Sequence, residues 1–135
     1  MERTQTDPNL TRSLDQIEGS AATPAAKTPI GQRCASLRGV PLGALSAGDL
    51  GALIGQRISL DLIVPRALDV LAKSPLVAGD DYPGDLLGTV LRLDGSFWLA
   101  HPRWHARLVT IADGVGAGPE EISFELAEFP RQLTA

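Results

Sequence analysis

Residues 79–85, GDDYPGD, form the part of the chain best equipped for chemistry, because they place three carboxylates and a tyrosine within six positions. These side chains are Asp80, Asp81, Tyr82 and Asp85. Pro83 fixes one φ angle and Gly84 permits an unusual one, so we expect a rigid turn. The apolar residues that follow have helical spacing, which predicts a helix with its N-cap at Asp85. A rigid acidic turn with an exposed tyrosine favours recognition of a basic partner over catalysis.

Three interpretations of this acidic turn remain open. In the first, Asp85 and one other aspartate only cap the helix and the turn. In the second, Asp80, Asp81 and Tyr82 contact basic residues of a partner. In the third, the carboxylates bind a divalent cation, which requires six or more oxygen ligands in a defined geometry. The twelve-residue calcium loop with its final glutamate is absent, and we therefore predict no metal site.

An enzymatic alternative combines the carboxylates of the acidic turn with a metal and with His101 or His105, as in a small hydrolase. These histidines are four residues apart and could share one helix face. However, His101 precedes Pro102 and therefore lies at a helix boundary, and no acidic residue stands between the histidines. No nucleophile elbow, phosphate loop or dinucleotide fingerprint is present either. The sequence favours a binding module without a cofactor over an enzyme.

The composition limits the possible partners and the cellular location. A chain of 135 residues can form one domain with a modest core. Its formal net charge of −4 argues against nucleic-acid binding, which normally requires a basic surface, and suits a basic protein partner. The single cysteine, Cys34, excludes an intrachain disulfide and a cysteine-based zinc site. No apolar run approaches the length of about 18 residues that spans a bilayer. We expect a cytoplasmic protein that is monomeric before it binds its partner.

The chain divides into an N-terminal arm, residues 1–29, and a folded domain, residues 30–135. The arm is polar and contains three prolines and a string of small residues. It buries too little apolar surface to offset its ordering entropy, so we expect most of it to be disordered. In residues 13–18, Leu14 and Ile17 could dock on the domain as a short arm, but we expect disorder there as well.

Helical periodicity dominates the rest of the sequence. Apolar residues recur at i, i+3 and i+4 between Leu60 and Leu71, although Pro65 predicts a break near Val64. Pro102 suits the first turn of a further helix. Only 4% of the residues are aromatic, and Phe97 and Trp98 are assigned to the core. We predict an all-α domain of five or six short helices in an orthogonal array.

The order of several motifs resembles that of the contact-dependent growth inhibition (CDI) immunity proteins, in the branch with GDxYPGDLL and FW signatures. Residues 13–19 also resemble the N-terminal stretch of that branch. The likeness covers about residues 30 to 112. Its motifs are Leu37–Leu42, Asp49–Leu50, Ile54–Gln56, Leu62–Leu68, Gly79–Leu87 and Phe97–Trp98.

This resemblance implies a bacterial, cytoplasmic antidote. Such a protein binds the toxic C-terminal domain of a delivered effector and blocks its active site, and the toxins of the family are often nucleases with basic clefts. Together with the charge pattern, this predicts partner-binding residues at Asp80, Asp81, Tyr82, Glu120, Glu121 and Glu125. The predicted structural residues are Pro83, Gly84, Asp85, Phe97 and Trp98.

Overall fold

The computed structural model describes residues 8–19 and 27–133. These ranges contain eight α-helices, three short 3₁₀ turns and no β-strand, which confirms the predicted all-α class. The helices are α1 (Leu14–Glu18), α2 (Pro29–Leu37), α3 (Ala47–Gly55), α4 (Leu60–Lys73), α5 (Asp85–Leu91), α6 (Gly95–Ala100), α7 (Pro102–Val115) and α8 (Ser123–Glu128). The 3₁₀ turns are Pro8–Thr11, Leu42–Ala44 and Glu120–Ile122. The short helices α1 and α6 are additional to the six that the sequence pattern outlines.

The core lies around α3, α4 and α5, which pack against one another. Helix α4 contributes five fully buried apolar residues, and burial of each of the four side chains larger than alanine is worth about 1.5–3 kcal/mol. The five residues are Ile63, Val64, Ala67, Leu68 and Leu71. Helix α4 continues through Pro65, so the prediction of a break near Val64 is wrong. The burial of apolar neighbours on both sides of Pro65 offsets the backbone hydrogen bond that the proline removes.

Several helix starts are fixed by local side-chain caps. The Ser46 hydroxyl accepts a hydrogen bond from the Asp49 amide, and the Asp49 carboxylate accepts one from the Ser46 amide. This reciprocal capping box explains the predicted start of α3. Ser59 precedes α4 and is of a residue type that commonly caps helices, but it makes no capping bond; its backbone is left-handed and its hydroxyl donates to Glu18. The Ser59 hydroxyl therefore binds the distant Glu18 carboxylate and not a backbone amide in the first turn of α4.

The segment 13–18 docks on the domain, which is the alternative to the disorder that the sequence favours for it. Leu14 is fully buried in the core. Arg38, at the end of α2, donates to Asp15 and Glu18 over 2.9 Å each. The prediction of disorder for residues 1–7 and 20–26 concerns positions outside the described residues. Within the described ranges, no helix has the length and apolarity needed to cross a membrane.

Candidate functional site

The acidic turn, residues 79–85, is organised around the carboxylate of Asp85. This group accepts hydrogen bonds from the backbone amides of Gly79 (2.6 Å), Asp81 (2.8 Å) and Tyr82 (3.3 Å). Asp85 is consequently not the N-cap of α5; it is the first helical residue, and Gly84 is the N-cap. The carboxylate turns back to the preceding amides because those donors have no other backbone acceptor within the turn. The Asp85 carboxylate thus joins three amides of the turn by hydrogen bonds that the sequence does not predict, and rigidity of the turn stays a prediction.

Gly84 is required at its position for two reasons. Its φ angle of 92° lies in the left-handed region, where a side chain is strained. A Cβ atom there would also lie only 3.2 Å from Cδ1 of Ile122 and 3.3 Å from Cδ2 of Leu76. The segment 119–122 therefore packs directly against the acidic turn.

The Asp85 carboxyl is held in its ionised form. Burial raises the pKa of Asp85, but the amides of Asp81, Gly79 and Tyr82, with a smaller contribution from Leu86, outweigh this effect. The net pKa lies below the ordinary aspartate value because hydrogen bonds from N–H groups stabilise the charged form. Asp85 therefore contributes a fixed negative charge whose oxygens are already occupied by the turn.

Asp80 is paired within the molecule. The guanidinium group of Arg33 on α2 lies 2.5 Å from one Asp80 oxygen and 3.0 Å from Asp49 on α3. Gly48 makes room for this arrangement, since a Cβ atom at that position would overlap the Asp80 carboxylate. About half of the Asp80 side chain stays exposed. Arg33, 47 positions earlier in the chain, therefore positions the Asp80 carboxylate and partly neutralises its charge. Asp80 is one of the predicted partner-binding residues.

Asp81 and Tyr82 differ in their exposure. Asp81 is exposed, and its carboxylate has no partner among the described residues. Tyr82 was expected to be exposed, but it is half-buried and packs against the core. The aromatic ring gains apolar contacts by covering the core while part of it faces solvent. An ordered, half-exposed tyrosine loses less side-chain entropy on binding than a free one.

A surface cleft of about 230 Å³ lies beside the acidic turn, between α2, α3 and α5. Small residues of α3 line it, and Arg33 and Arg92 stand at its walls together with Asp80, Asp81, Tyr82 and Asp85. Arg92 also donates to Glu125 of α8 over 3.1 Å. Arg92 in the wall of the cleft thus connects this region to Glu125, one of the three glutamates predicted to bind the partner.

The carboxylates of residues 119–128 occupy two environments. Glu120 and Glu121 are exposed, whereas Glu125 is half-buried and paired with Arg92. The segment that carries them packs on α5, the helix that follows the acidic turn. The structure therefore brings the two predicted acidic segments next to each other. We call the acidic turn together with the carboxylates of residues 120–128 the acidic face.

The two histidines serve packing rather than a shared site. The ring of His101 stacks on Trp104, with centroids 4.0 Å apart and planes 4° apart. His105 is buried, and its Nε2–H donates to the carbonyl of Pro130 over 2.7 Å. Across residues 8–19 and 27–133, no three or more His, Cys, Asp and Glu side chains are grouped to hold a metal ion. Neither histidine therefore forms such a group with the carboxylates of the acidic turn in these ranges.

The aromatic pair of α6 belongs to the core. Trp98 is fully buried, and its indole N–H donates to the carbonyl of Leu93 over 3.1 Å. Phe97 and Phe129 meet its ring edge-on, at centroid distances of 5.0 and 6.0 Å. These contacts join α6 to the segment that follows α8.

The sequence does not indicate the importance of two residues beside the acidic face, Arg33 and Phe124. Arg33 gives no local signal, because its partners lie 16 and 47 positions away. Phe124 is 72% exposed, although a phenylalanine is usually expected in a core. The helical period does indicate the exposure of Phe124. Ile122 and Leu126, two positions before and after it, lie on the buried side of the segment, so Phe124 lies on the opposite, outer side.

These features define an all-α domain that presents an acidic turn beside a cleft. A protein-family model described as CDI immunity proteins matches residues 16–108, which is more than half of the chain. The protein belongs to this family and is an immunity protein against a CDI toxin. A comparison with curated proteins found no match. The matched range includes the whole acidic turn but ends before the glutamates of residues 120–128.

Proposed function

We propose that the protein neutralises its cognate toxin by covering the toxin's active site with the acidic face. The observation that carries this proposal is the acidic turn itself, in which Asp85 fixes the backbone and Asp81 remains exposed without a partner among the described residues. The turn lies inside the part of the chain that matches the family. The partner is the toxic C-terminal domain of the CDI effector, and we propose that this domain is a nuclease.

The charge balance around the cleft supports a basic target. Five carboxylates and two guanidinium groups, a formal net charge of −3, lie in the cleft walls or pair with them. The carboxylates are Asp49, Asp80, Asp81, Asp85 and Glu125, and the guanidinium groups are Arg33 and Arg92. A nuclease cleft that holds phosphates is positively charged, so it would be attracted to this surface. Such attraction increases the association rate and falls with added salt.

Rigidity supports tight binding for a separate reason. Association costs free energy when loops and side chains must be ordered at the interface. In the acidic turn this order exists before binding, because Asp85, Gly84 and the Arg33–Asp80 pair hold the backbone and one carboxylate. More of the contact energy therefore appears as affinity.

The remaining parts of the proposal follow from this mode of action. The immunity protein acts in the bacterial cytoplasm, where a delivered nuclease reaches its substrate. It acts without turnover, as a monomer that binds the toxin domain and not nucleic acid. Residues 30–135 form the immunity domain, and its contact residues are Asp80, Asp81, Tyr82, Glu120, Glu121 and Glu125.

The test compares variants for binding to the toxin domain encoded beside the immunity gene. The triple variant Asp80→Ala/Asp81→Ala/Tyr82→Ala is expected to bind about 30-fold more weakly, since it removes two charges and an aromatic contact. Surface plasmon resonance at two salt concentrations should show a slower association rate and a weaker salt dependence than for the wild type. Nuclease inhibition should weaken in parallel.

Two further variants sharpen this experiment. Asp81→Ala/Tyr82→Ala leaves the Arg33–Asp80 pair in place and separates contact from positioning. Asp61→Ala removes an exposed carboxylate of α4, outside the acidic face, and should leave affinity within about twofold. Unchanged affinity of the triple variant would exclude this surface, whereas a wild type that binds no such toxin and rescues no growth would overturn the function.

A further inference from the structure

We propose that Phe124 is an apolar anchor that inserts into a pocket of the toxin domain, and this inference rests on the proposed function. Phe124 is 72% exposed, against 37–45% for the other exposed large apolar residues, Ile30, Leu76 and Leu99, of the described chain. Its helix, α8, already buries Leu126, and the adjacent Ile122 is also buried. The outward position of Phe124 is therefore fixed by the helical period and not by a lack of space in the core.

Carboxylates flank this exposed residue along the chain. Glu128 follows Phe124 by four residues within α8, so these two side chains share a face of the helix, and Glu121 lies three residues before Phe124 in the adjoining 3₁₀ turn. Both glutamates are exposed, and neither forms an ion pair with any residue of the ranges 8–19 and 27–133. Glu125, by contrast, is paired with Arg92. An aromatic centre within a charged rim is the usual anatomy of a strong contact point in a protein interface.

The charge of this rim identifies the occupant. A second copy of the chain would bring like carboxylates together across a two-fold axis, which is unfavourable. An anionic lipid surface would repel them as well. A protein domain with an apolar pocket bordered by lysines and arginines satisfies both the ring and the rim. That chemistry matches the basic toxin domain that the acidic face is proposed to bind.

The segment that carries Phe124 contacts the acidic turn and the cleft beside it through the neighbours of Phe124. Residues 119–122 pack against Gly84 of the turn, and Glu125, the residue after Phe124, binds Arg92 at the wall of the cleft. On the other flank, Ser123 and Ala127 border a shallow cleft of about 430 Å³ that Leu126 and Phe129 also line. The segments that carry Phe124 and the acidic turn therefore adjoin each other, and the inference requires the toxin domain to contact both.

Phe124→Ala tests the inference directly. Because the ring is mostly exposed, the variant should fold with the thermal midpoint of the wild type. Its affinity for the toxin domain should fall 30- to 100-fold, almost entirely through faster dissociation. Glu121→Gln/Glu128→Gln should instead slow association and weaken its salt dependence, with a smaller change in dissociation.

Leu99→Ala is the matched control, since Leu99 is an exposed apolar residue of α6 outside the acidic face. Leu99→Ala should leave the association and dissociation rate constants unchanged.

If Phe124→Ala binds within twofold of the wild type while the acidic-turn triple variant is weakened, the inference that Phe124 is an anchor is wrong and the proposed function stands. If the wild type binds no toxin domain, the proposed function itself fails. A wild type that self-associates in sedimentation analysis, with a monomeric Phe124→Ala, would assign the surface to a second copy and overturn the inference.

Discussion

Replacing Trp98 by alanine is expected to lower the free energy of unfolding by about 3–5 kcal/mol. Trp98 is the largest fully buried side chain of the described core, and its ring meets Phe97 and Phe129 edge-on. Alanine would leave a cavity and would also leave the carbonyl of Leu93 without its indole donor. Small domains are stable by only about 5–15 kcal/mol, so this change takes up a large part of the total. Urea denaturation followed by circular dichroism measures the loss.

Two companion variants separate the causes of this loss. Trp98→Phe keeps an aromatic ring but removes the donor to Leu93, and it should cost about 1–3 kcal/mol. Leu99→Ala, on the exposed side of the same helix, should cost less than about 0.5 kcal/mol. A Trp98→Ala protein within about 1 kcal/mol of the wild type would contradict the assignment of Trp98 to the core.

The helices of this fold could be predicted where local forces decide them. Leu60 to Leu71 follow a helical period closely, and the burial of that stripe keeps α4 continuous even through Pro65. Ser46 and Asp49 form their capping box between residues three positions apart, so the sequence alone contains both partners. Short-range periodicity therefore sufficed for the fold class, whereas the cap predicted at Asp85 is wrong because that carboxylate binds the preceding amides.

The same sequence could not show interactions between distant segments. Nothing near Asp80 indicates that Arg33 would pair with it, because the contact exists only after α2 and α3 pack together. The sequence predicts an exposed Tyr82, yet packing against the core leaves its ring half-buried. The residues of the acidic turn indicate where in the chain the turn lies. Which of its carboxylates form ion pairs and which face solvent alone depends on tertiary contacts.

Asp85→Asn is expected to destabilise the fold by about 2–3 kcal/mol at neutral pH, because hydrogen bonds to a charged acceptor are worth about 1.5–3 kcal/mol. The wild-type carboxylate uses both oxygens to accept three backbone amides, Gly79 on one oxygen and Asp81 and Tyr82 on the other. An asparagine side chain offers a single acceptor oxygen, so at least one partly buried amide loses its partner. The loosened turn should also bind the toxin domain more weakly. Urea denaturation measures the first effect and surface plasmon resonance the second.

The pH dependence distinguishes this charge effect from a general packing defect. The folded pKa of Asp85 is lower than the unfolded value of about 3.9, so its stabilisation is fully present above that pH and is lost as the pH falls through the folded pKa. The difference in unfolding free energy between wild type and Asp85→Asn should therefore be constant from pH 7 to about pH 5 and shrink below about pH 4. Asp81→Asn, in the same turn, should cost less than about 0.5 kcal/mol at neutral pH, since its carboxylate accepts no hydrogen bond from the described residues. A difference that stayed the same down to pH 3 would show that the ionised carboxylate does not hold the turn, and the preorganisation on which the acidic face depends would have to come from Gly84 and Arg33 alone.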